Sequence, residues 1–454
     1  MGSLAVDAHY PDASDRSLVL THPTAAEKEQ TWRLNHGEWG GPLDLSMYLK
    51  REPFLASTSL AADGGMVHWI LTDAPSTEPI AQHEKRRVLA SCEHICKRVL
   101  YVPRNGDEVR EGFGYGIGSV YTYPEFRGRK YAARMLRELG VMLKTWPEEE
   151  QLRKKRSQAP SDGSKSGEQS NGQTKAEGRE AVCSALWSDI GKRFYASKGW
   201  PAFASGHVEF PSSSPESPLG ISSLLERSAQ PHKTLLTLTP VNTSNLAQLC
   251  AEDEAQLRVE LVRHAREHCR TAFAFAPDYD VFRWHWAREE FIVSQVFPGR
   301  RASEVRGMIA TVANTGPING VAEEGKTRMW AIWTRNFGPG ATSNPAKNTL
   351  YILRLVIDDR GTITPPNPKA LQLAFDAILH SALDAARTWH CDTVHLWNPT
   401  PVLQGLIARS GAAHKFVDRE VDSIPSMMWY GPDGAREEEA DDVDWIANEK
   451  YCWC

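Results

Sequence analysis

Short apolar runs alternate with amphipathic stretches along this 454-residue chain, and the pattern predicts an α/β protein. In the first part of the chain it predicts one helix at about 24–36. It also predicts strands there at 18–20, 54–60, 66–72 and within 87–102. Residues 61–65, AADGG, are typical of a β-hairpin turn between two of these strands. A further strand at 115–123 is followed by a turn and by a helix that we expect to end at Pro147.

The second half of the chain repeats this order of elements after a Ser/Pro-rich segment. Its predicted strands lie at 234–239, 306–313, 327–334, 350–357 and 391–397, and its helices start at about 245 and span 369–389 and 401–410. We therefore expect two domains, 1–210 and 233–454, joined by a linker at 211–232. Residues 147–180 contain almost no large apolar side chain. They are predicted to be a disordered insertion, because they cannot bury enough surface to offset the entropy lost on ordering.

Composition narrows the classes of partner and compartment. With 41% apolar and 24% charged residues, the chain has the composition of a soluble globular protein. A net charge of -5 argues against nucleic acid or an anionic membrane as its main partner. No apolar run approaches the roughly 18 residues of a membrane span. Eight scattered cysteines without a secretory signal indicate a reducing compartment, so we expect a cytoplasmic protein.

Two short-range pairs have residue types that bind metals. Cys92 with Cys96, and His264 with His268, have the spacing that places two ligands on one helix face. Neither pair is accompanied by a second pair at a suitable distance along the chain. Ordinary helix positions explain both pairs better, and we expect no metal.

Residues 115–132 combine the features of a phosphate-binding site. A predicted strand leads through a basic, glycine-containing loop into a helix, whose first N–H groups lack intrahelical partners and whose dipole favours an anion. The loop, RGRKYA at 127–132, resembles motif A of the GCN5-related N-acetyltransferases (GNAT), which hold the pyrophosphate of acetyl-CoA on Q/R-x-x-G-x-G/A. Lys130 replaces the middle glycine, and we expect it to keep a helical φ. The resemblance implies acetyl-CoA as co-substrate, bound by Arg127, Gly128, Arg129, Lys130, Tyr131 and Ala132.

A second segment decides between this interpretation and an ordinary basic strand–turn–helix. Residues 181–189 are predicted as a strand and 192–198 as a short helix that ends at Gly199, a residue suited to a left-handed C-cap. FYASKGW at 194–200 resembles the GNAT motif B helix. In that resemblance Tyr195 falls where many members keep a tyrosine that protonates the departing CoA thiolate. A half-buried structural tyrosine is the alternative interpretation.

The two motifs imply a GNAT-type mixed sheet flanked by helices, followed by a second, degenerate GNAT-like α/β domain. In the second domain the strand predicted at 350–357 is followed by Pro365, Pro366 and Pro368. These prolines lack the amide donors that a phosphate needs. We therefore expect the second domain to shape the acceptor site rather than to bind CoA.

Short segments narrow the resemblance further: SCE at 91–93, SDIGKRFYASKGW at 188–200 and NEKYCW at 448–453. They resemble the fungal lysine N-acetyltransferases, which transfer acetyl from acetyl-CoA to the side-chain (N6) amine of free L-lysine in a catabolic route. The resemblance implies a small-molecule amine as acceptor. No cysteine stands in a recognisable nucleophile–base pairing, so we expect direct transfer within a ternary complex.

This chemistry points to further candidate residues. A lysine ammonium has a pKa of about 10.4 and must lose a proton before it attacks. We expect Glu93 or Asp189 to act as the base or to contact the cationic substrate, and Arg354 to bind its α-carboxylate. Backbone groups that stabilise the oxyanion are expected at Val120, Tyr121 and Thr122. Each side chain also has a structural alternative: an exposed strand carboxylate for Glu93, a helix cap for Asp189 and a salt bridge for Arg354.

Other functions remain open from the sequence. The same chemistry would serve a polyamine or a protein amine as acceptor, and a closed pocket would favour a free amino acid over these. A non-catalytic acyl-CoA sensor is the third possibility, and Lys130 in place of glycine is the feature that favours it. Arg127, Gly128 and Tyr195 favour an enzyme, since a protein that only binds acyl-CoA does not need the acid.

Overall fold

The computed structural model describes residues 10–73, 86–157, 180–213, 234–314, 326–343, 347–358, 367–431 and 442–453. The helices are α1 (Ala25–Trp39), α2 (Leu45–Ala56), α3 (Tyr131–Ser157), α4 (Arg193–Ala196), α5 (Thr243–His268), α6 (Tyr279–Val296), α7 (Pro368–Thr388) and α8 (Pro401–Arg409). The strands are β1 (Val19–Thr21), β2 (Met66–Thr72), β3 (Val88–Val102), β4 (Arg110–Thr122), β5 (Ala181–Ser188), β6 (Gly206–Pro211), β7 (Thr234–Val241), β8 (Thr271–Phe275), β9 (Gly307–Asn314), β10 (Lys326–Asn336), β11 (Thr349–Asp358), β12 (Thr393–Trp397), β13 (Lys415–Asp418), β14 (Ile424–Trp429) and β15 (Val443–Trp445).

The strands form two mixed sheets flanked by helices, which confirms the predicted fold class. The first sheet has the order β1-β2-β3-β4-β5-β14, and β8 pairs with both β3 and β15. The second has the order β13-β6-β12-β11-β10-β9-β7. Each sheet contains a parallel pair connected through a long helix, β4–α3–β5 in the first and β11–α7–β12 in the second. The two halves of the chain therefore repeat one topology.

The two sheets exchange a strand. β6 follows the motif B helix in sequence, yet it pairs with β12 and β13 of the second sheet. In return β14, from the far end of the chain, pairs antiparallel with β5 of the first sheet. Val208 and Phe210 of β6 are buried in the core of the second sheet. A division of the chain at residue 210 thus does not coincide with the division between the sheets, and most of the expected linker lies outside the described residues.

Two local predictions in the first half were wrong. Residues predicted as a hairpin strand at 54–60 begin inside α2, whose start is capped by Asp44 accepting from the amide of Met47 at 2.8 Å. Pro53 lies inside this helix. Pro147 does not end α3 either, since the helix continues to Ser157. A proline removes one N–H bond and kinks a helix, but neighbouring turns that remain bonded can carry the chain past it.

The end of α1 and the C-terminal segment lie close to each other. α1 starts with a capping box, in which Thr24 and Glu27 bond each other's backbone amides, and it ends at Trp39. The C-terminal segment packs inward: Tyr451 is fully buried, and Lys97 donates from Nζ to the carbonyl of Cys452 at 2.7 Å. Trp39, at the end of α1, and Trp453, in the C-terminal segment, line the same two cavities.

Candidate active site

A cavity opens where β4 and β5 part. The strands pair in parallel as far as Ile117 opposite Leu186, and β4 then continues to Thr122 without this partner. The space between them is a cavity of about 570 Å³. Val120, Tyr121 and Thr122 line it. Because β5 no longer pairs with this stretch, it is available to a ligand that lies along the strand.

A β-bulge shapes this wall of the cavity. Ser91 pairs with Tyr121 and Glu93 with Gly118, so two residues of β4 oppose Cys92 alone. The extra residue is Ser119, whose φ of 52° lies in the left-handed region. A serine pays about 1–2 kcal/mol for this conformation. The bulge directs the Ser119 hydroxyl to the carboxylate of Glu93, 2.9 Å away.

The basic loop before α3 adopts a different backbone from the one we expected. Gly128 has a φ of 78° and Lys130 a φ of 67°, so Lys130 is left-handed rather than helical. The prediction of a helical φ at Lys130 was wrong, because α3 begins only at Tyr131 and the chain turns sharply to reach it. Lysine here occupies a conformation that glycine adopts without strain.

Two arginines of this loop face different neighbours. Arg127 lines the cavity, donates from Nε to the carbonyl of Thr122 at 3.1 Å and lies over the ring of Tyr121. Arg129 instead lies over the ring of Tyr10, at 4.7 Å. Ala132, in the first turn of α3, also lines the cavity.

The side chain of Tyr131 packs away from the cavity. It is 1% exposed, and its hydroxyl donates to the carbonyl of Pro11 at 2.6 Å. Tyr131 can therefore contribute to a ligand site only through its backbone amide at the start of α3.

Tyr195 and Asp189 lie on the opposite wall of the cavity, beyond the end of β5. Burial raises the pKa of Tyr195, so its hydroxyl is protonated at neutral pH. Asp189 accepts from the amide of Ser423 at 2.9 Å and so joins this wall to the second half of the chain. Loss of solvent raises the pKa of the Asp189 carboxyl, and the charge of Asp422 adds to this. The expected helix-cap alternative for Asp189 is not what the structure has, since α4 starts without a side-chain cap.

Glu93 lies behind the bulge rather than on the cavity surface. Its Oε1 accepts from Ser119, which lines the cavity, and its Oε2 is 3.1 Å from Nε2 of His68. Burial acts to raise the pKa of Glu93, but the hydrogen bonds from His68 and Ser119 and the charge of His68 hold it below its ordinary value. The carboxylate is therefore ionised at neutral pH and one hydroxyl away from the cavity.

Arg354 lines neither this cavity nor the second cavity that adjoins it. Its Nε and Nη2 donate to the two carboxylate oxygens of Asp253 at 2.9 and 2.7 Å, and its Nη1 pairs with Glu449. All three groups are buried. Two carboxylates, from α5 and from the C-terminal segment, thus already engage the guanidinium that we expected to bind the α-carboxylate of the substrate.

A second cavity of about 250 Å³ adjoins the first and shares Glu38, Trp39 and Trp453 with it. Arg288 of α6 lines it and donates to Oδ1 of Asn336 at 3.0 Å, a neutral partner. Burial, together with the charge of Arg51, lowers the pKa of Arg288 to about 10, so it stays protonated at neutral pH. The sequence patterns singled out Trp453, within the NEKYCW segment, but gave no signal for Glu38, Trp39, Arg288 or Asn336.

The described residues hold one group with the residue types and spacing of a metal site. His207, Glu209 and His395 place ligand atoms within 4.8 Å of one another. Arg419 donates to Nδ1 of His207, so Nε2 of this ring carries the proton that it donates to Glu209 at 2.9 Å. A nitrogen that carries a proton has no lone pair for a metal.

Cys92 and Cys96 lie on β3, not on a helix as expected.

No helix among the described residues combines the length and the apolar character needed to cross a membrane.

Comparison with known proteins identifies the family. The model of a family described as the LYC1 GNAT-like C-terminal domain matches residues 222–454, slightly more than half of the chain. The chain belongs to this family. GNAT membership and two flanked mixed sheets support acyl transfer from acyl-CoA by an acyl-CoA-dependent N-acetyltransferase. No curated protein matches the chain in sequence.

Several solved structures resemble the chain at low identity. A probable N-acyltransferase of Enterococcus faecalis V583 is 12% identical, with 90% of this chain and 72% of that chain covered and a TM-score of 0.44. A GCN5-related N-acetyltransferase of Kribbella flavida is 12% identical, with 90% and 70% covered and a TM-score of 0.41. The N-myristoyltransferase of Saccharomyces cerevisiae with bound myristoyl-CoA is 10% identical, with 91% and 79% covered and a TM-score of 0.43.

Proposed function

We propose that the protein transfers the acetyl group of acetyl-CoA to the N6 amine of free L-lysine, by direct attack in a ternary complex. The observation that carries the proposal is the pair of adjoining cavities, one at the parting of β4 and β5 and one lined by Arg288, which share Trp39 and Trp453. One cavity has the features of a thioester site and the other those of a small acceptor site. We assign the reaction to lysine degradation in the cytoplasm on the resemblance stated above.

We propose that acetyl-CoA binds along β4 with its pyrophosphate at the start of α3. The free amides of the first helical turn and the positive end of the helix dipole favour a phosphate there, and Arg127 lies beside it. The thioester carbonyl would lie against the β4 backbone beyond the bulge, where an N–H can stabilise the oxyanion. The residues assigned to the co-substrate are Val120, Tyr121 and Thr122 through their backbone, and Arg127, Gly128, Arg129, Lys130, Tyr131 and Ala132 at the start of α3, of which Arg127 also presents its side chain.

The proposed chemistry uses Glu93, Ser119 and Tyr195. Glu93 is ionised and accepts the proton of the substrate ammonium through the Ser119 hydroxyl, which leaves the amine lone pair free. The amine attacks the thioester carbon and the C–S bond breaks. Tyr195 gives its proton to the thiolate, and the nitrogen of the new amide loses its second proton to the Tyr195 oxygen. Asp189, beside Tyr195, is assigned to attracting the cationic acceptor. Glu93 and Ser119 act on the amine, and Tyr195 acts on the thiolate of CoA. Both substrates must therefore be bound together, in a ternary complex.

The second cavity supports a free amino acid as the acceptor. Arginine binds a carboxylate through paired N–H donors, and Arg288 is charged with a neutral side chain as its hydrogen-bonded partner. We propose that Arg288 and Asn336 hold the α-carboxylate of lysine. A volume of about 250 Å³ suits one amino acid rather than a peptide. A polyamine has the amine but nothing for Arg288 to bind.

The test is release of CoA from acetyl-CoA in the presence of L-lysine, D-lysine, ornithine, spermidine or a lysine-containing peptide. Turnover with L-lysine well above that with the other amines is the expected result. Preference for spermidine or the peptide would mean that the acceptor is a polyamine or a protein amine, acetylated by the same chemistry. Binding of acetyl-CoA without turnover of any amine would contradict the proposal and favour an acyl-CoA sensor.

A further inference from the structure

We propose that His68 is a positioning residue that acts through Glu93: it holds the carboxylate ionised and turned towards Ser119, so that Glu93 can accept the proton of the acceptor amine. This inference rests on the proposed function, since it assigns a partner to the base of that reaction. His68 belongs to none of the motifs that the sequence shows.

Direct strand pairing places the three groups in a row. His68 of β2 lies opposite Glu93 of β3, and Glu93 lies opposite Gly118 of β4, next to Ser119. One oxygen of the carboxylate, Oε2, is 3.1 Å from Nε2 of His68, and the other, Oε1, accepts from Ser119 at 2.9 Å. Each oxygen thus has its own donor, and rotation of the carboxylate away from Ser119 would break both contacts.

A third cavity, of about 240 Å³, reaches the other side of this row. His68 lines it together with His22, Lys28, Met66 and Trp146, and it shares no lining residue with the two cavities of the proposed reaction. The His68 side chain is 12% exposed. The imidazole therefore lies between the third cavity and Glu93, whose own side chain is 16% exposed, whereas Ser119 lies between Glu93 and the acyl-transfer cavity.

The other charged groups around Glu93 are engaged with each other. Arg51 and Glu52 form an ion pair at 2.6 Å, so their effects on Glu93 oppose each other. His94 accepts from Trp69 at 2.9 Å, and burial lowers its pKa to about 3, so it is neutral.

Four other titratable side chains lie near Glu93 or its neighbours Glu52, His94 and His68: Tyr48, His22, Lys28 and Arg288. Among the described residues, His68 and Ser119 are the side chains that hydrogen-bond the Glu93 carboxylate.

The proton transfer balances with the two substrates, the side chains of Ser119, Glu93 and Tyr195, and water. An N–H bond of the lysine ammonium breaks and its proton passes to Ser119 Oγ, while the hydroxyl proton of Ser119 passes to Glu93 Oε1. The neutral amine then attacks, and the second proton that its nitrogen loses as the amide forms replaces the one that Tyr195 gives to the thiolate. His68 keeps its Nε2 proton throughout as a donor to Oε2. Glu93 returns its proton to water after the products leave.

Removing the His68 donor has a predictable sign. A buried carboxylate that loses a donor holds its proton more tightly, so the pKa of Glu93 rises. The base then becomes protonated at a higher pH than in the wild type. Activity should fall at the acidic end of the pH–rate profile and recover as the pH rises, which moves the acidic limb upward. A residue needed only for packing would lower the rate at every pH alike.

The experiment compares wild type, His68→Leu and His68→Gln by kcat/KM for L-lysine from pH 4 to pH 10. His68→Leu removes the donor, and we expect its acidic limb to move up by about one pH unit, which is roughly a tenfold loss of kcat/KM on that limb. His68→Gln restores an N–H donor, and its profile should lie close to wild type. The control is His264→Leu, which removes a histidine–carboxylate pair, 2.8 Å from Asp444, outside the three cavities.

Two further measurements separate this inference from the proposed function. Imidazole added to His68→Ala should restore the rate with saturation, since the third cavity gives access to the vacated position. Carbon-13 NMR of glutamate-labelled protein, with Glu93→Gln to assign the signal, follows the Glu93 titration without any acceptor.

A Glu93 titration that is the same in wild type and His68→Leu overturns the inference. Loss of lysine turnover in the wild type, with the titration shift intact, overturns only the proposed function. If His68→Leu does not fold, the Glu93 titration is measured in His68→Gln and in the wild type. A wild-type Glu93 that titrates above the ordinary range of a glutamate contradicts the inference.

Discussion

Replacing Arg288 with glutamine should separate substrates by their carboxylate. We expect Arg288→Gln to lower kcat/KM for L-lysine and to leave 1,5-diaminopentane almost unaffected, because this amine is lysine without its carboxylate. The pKa of Arg288, lowered to about 10, still leaves well over 99% of it charged at pH 7.5. The guanidinium therefore offers a full charge to the substrate.

The size of the effect follows from the contact that is lost. A hydrogen bond to a charged group contributes about 1.5–3 kcal/mol, which corresponds to roughly a 10- to 150-fold change in kcat/KM. Asn336, 3.0 Å from Arg288, remains as a neutral donor, so we expect the lower half of that range. Wild type should prefer L-lysine over 1,5-diaminopentane by a similar factor, and Arg288→Lys should recover part of it.

The assay is CoA release with each amine under saturating acetyl-CoA. Arg283→Gln is the matched control, since it changes an arginine of the same helix that lines neither cavity of the proposed reaction. Equal losses for lysine and for 1,5-diaminopentane would mean that Arg288 supports the fold rather than the carboxylate. No loss with either amine would refute the reasoning and move the anchor elsewhere.

Three further substitutions test the other assignments. Tyr195→Phe should lower kcat by on the order of 10²-fold with little change in KM; unchanged turnover would exclude Tyr195 as the acid. Arg127→Glu should weaken acetyl-CoA binding at least tenfold in calorimetry with the melting temperature intact, because Arg127 is exposed; equal affinity would contradict the pyrophosphate site. Arg354→Met leaves Asp253 and Glu449 buried without their cation and should cost about 3–5 kcal/mol of stability by denaturant unfolding, whereas a large rise in KM for lysine at normal stability would return Arg354 to the substrate site.

Local patterns predicted much of the fold. Apolar runs and amphipathic periods correspond to most strands and long helices, because the period of side-chain burial is a property of each segment. They failed at α2, where the apolar residues at 54–60 resemble a strand and the cap that starts the helix lies ten residues earlier, at Asp44. Pro147 misled for a related reason: a proline weakens a helix locally, but bonded turns on both sides can keep it continuous.

The candidate site was predictable only in part. The loop at 127–132 and Tyr195 carry a recognisable local pattern, and both Arg127 and Tyr195 line the larger cavity. Lys130 shows the limit, since its left-handed φ follows from the path between β4 and α3 rather than from its own preference. Arg354 and Arg288 show it more clearly. Both are basic residues, one in a strand and one in a helix, and the sequence offers no way to tell which one meets carboxylates of its own chain.

The sequence by itself determined the α/β class, the repeat of one topology in two halves, and a basic loop at a helix start that favours an anion. These features depend on neighbours within a few residues. The tertiary structure decided the exchange of β6 and β14 between the sheets, the Asp253–Arg354–Glu449 network, and the row from His68 through Glu93 to Ser119. Each depends on contacts between residues far apart in the chain, set by strand register and by one bulge, and a one-residue change of register would send every side chain to the other face.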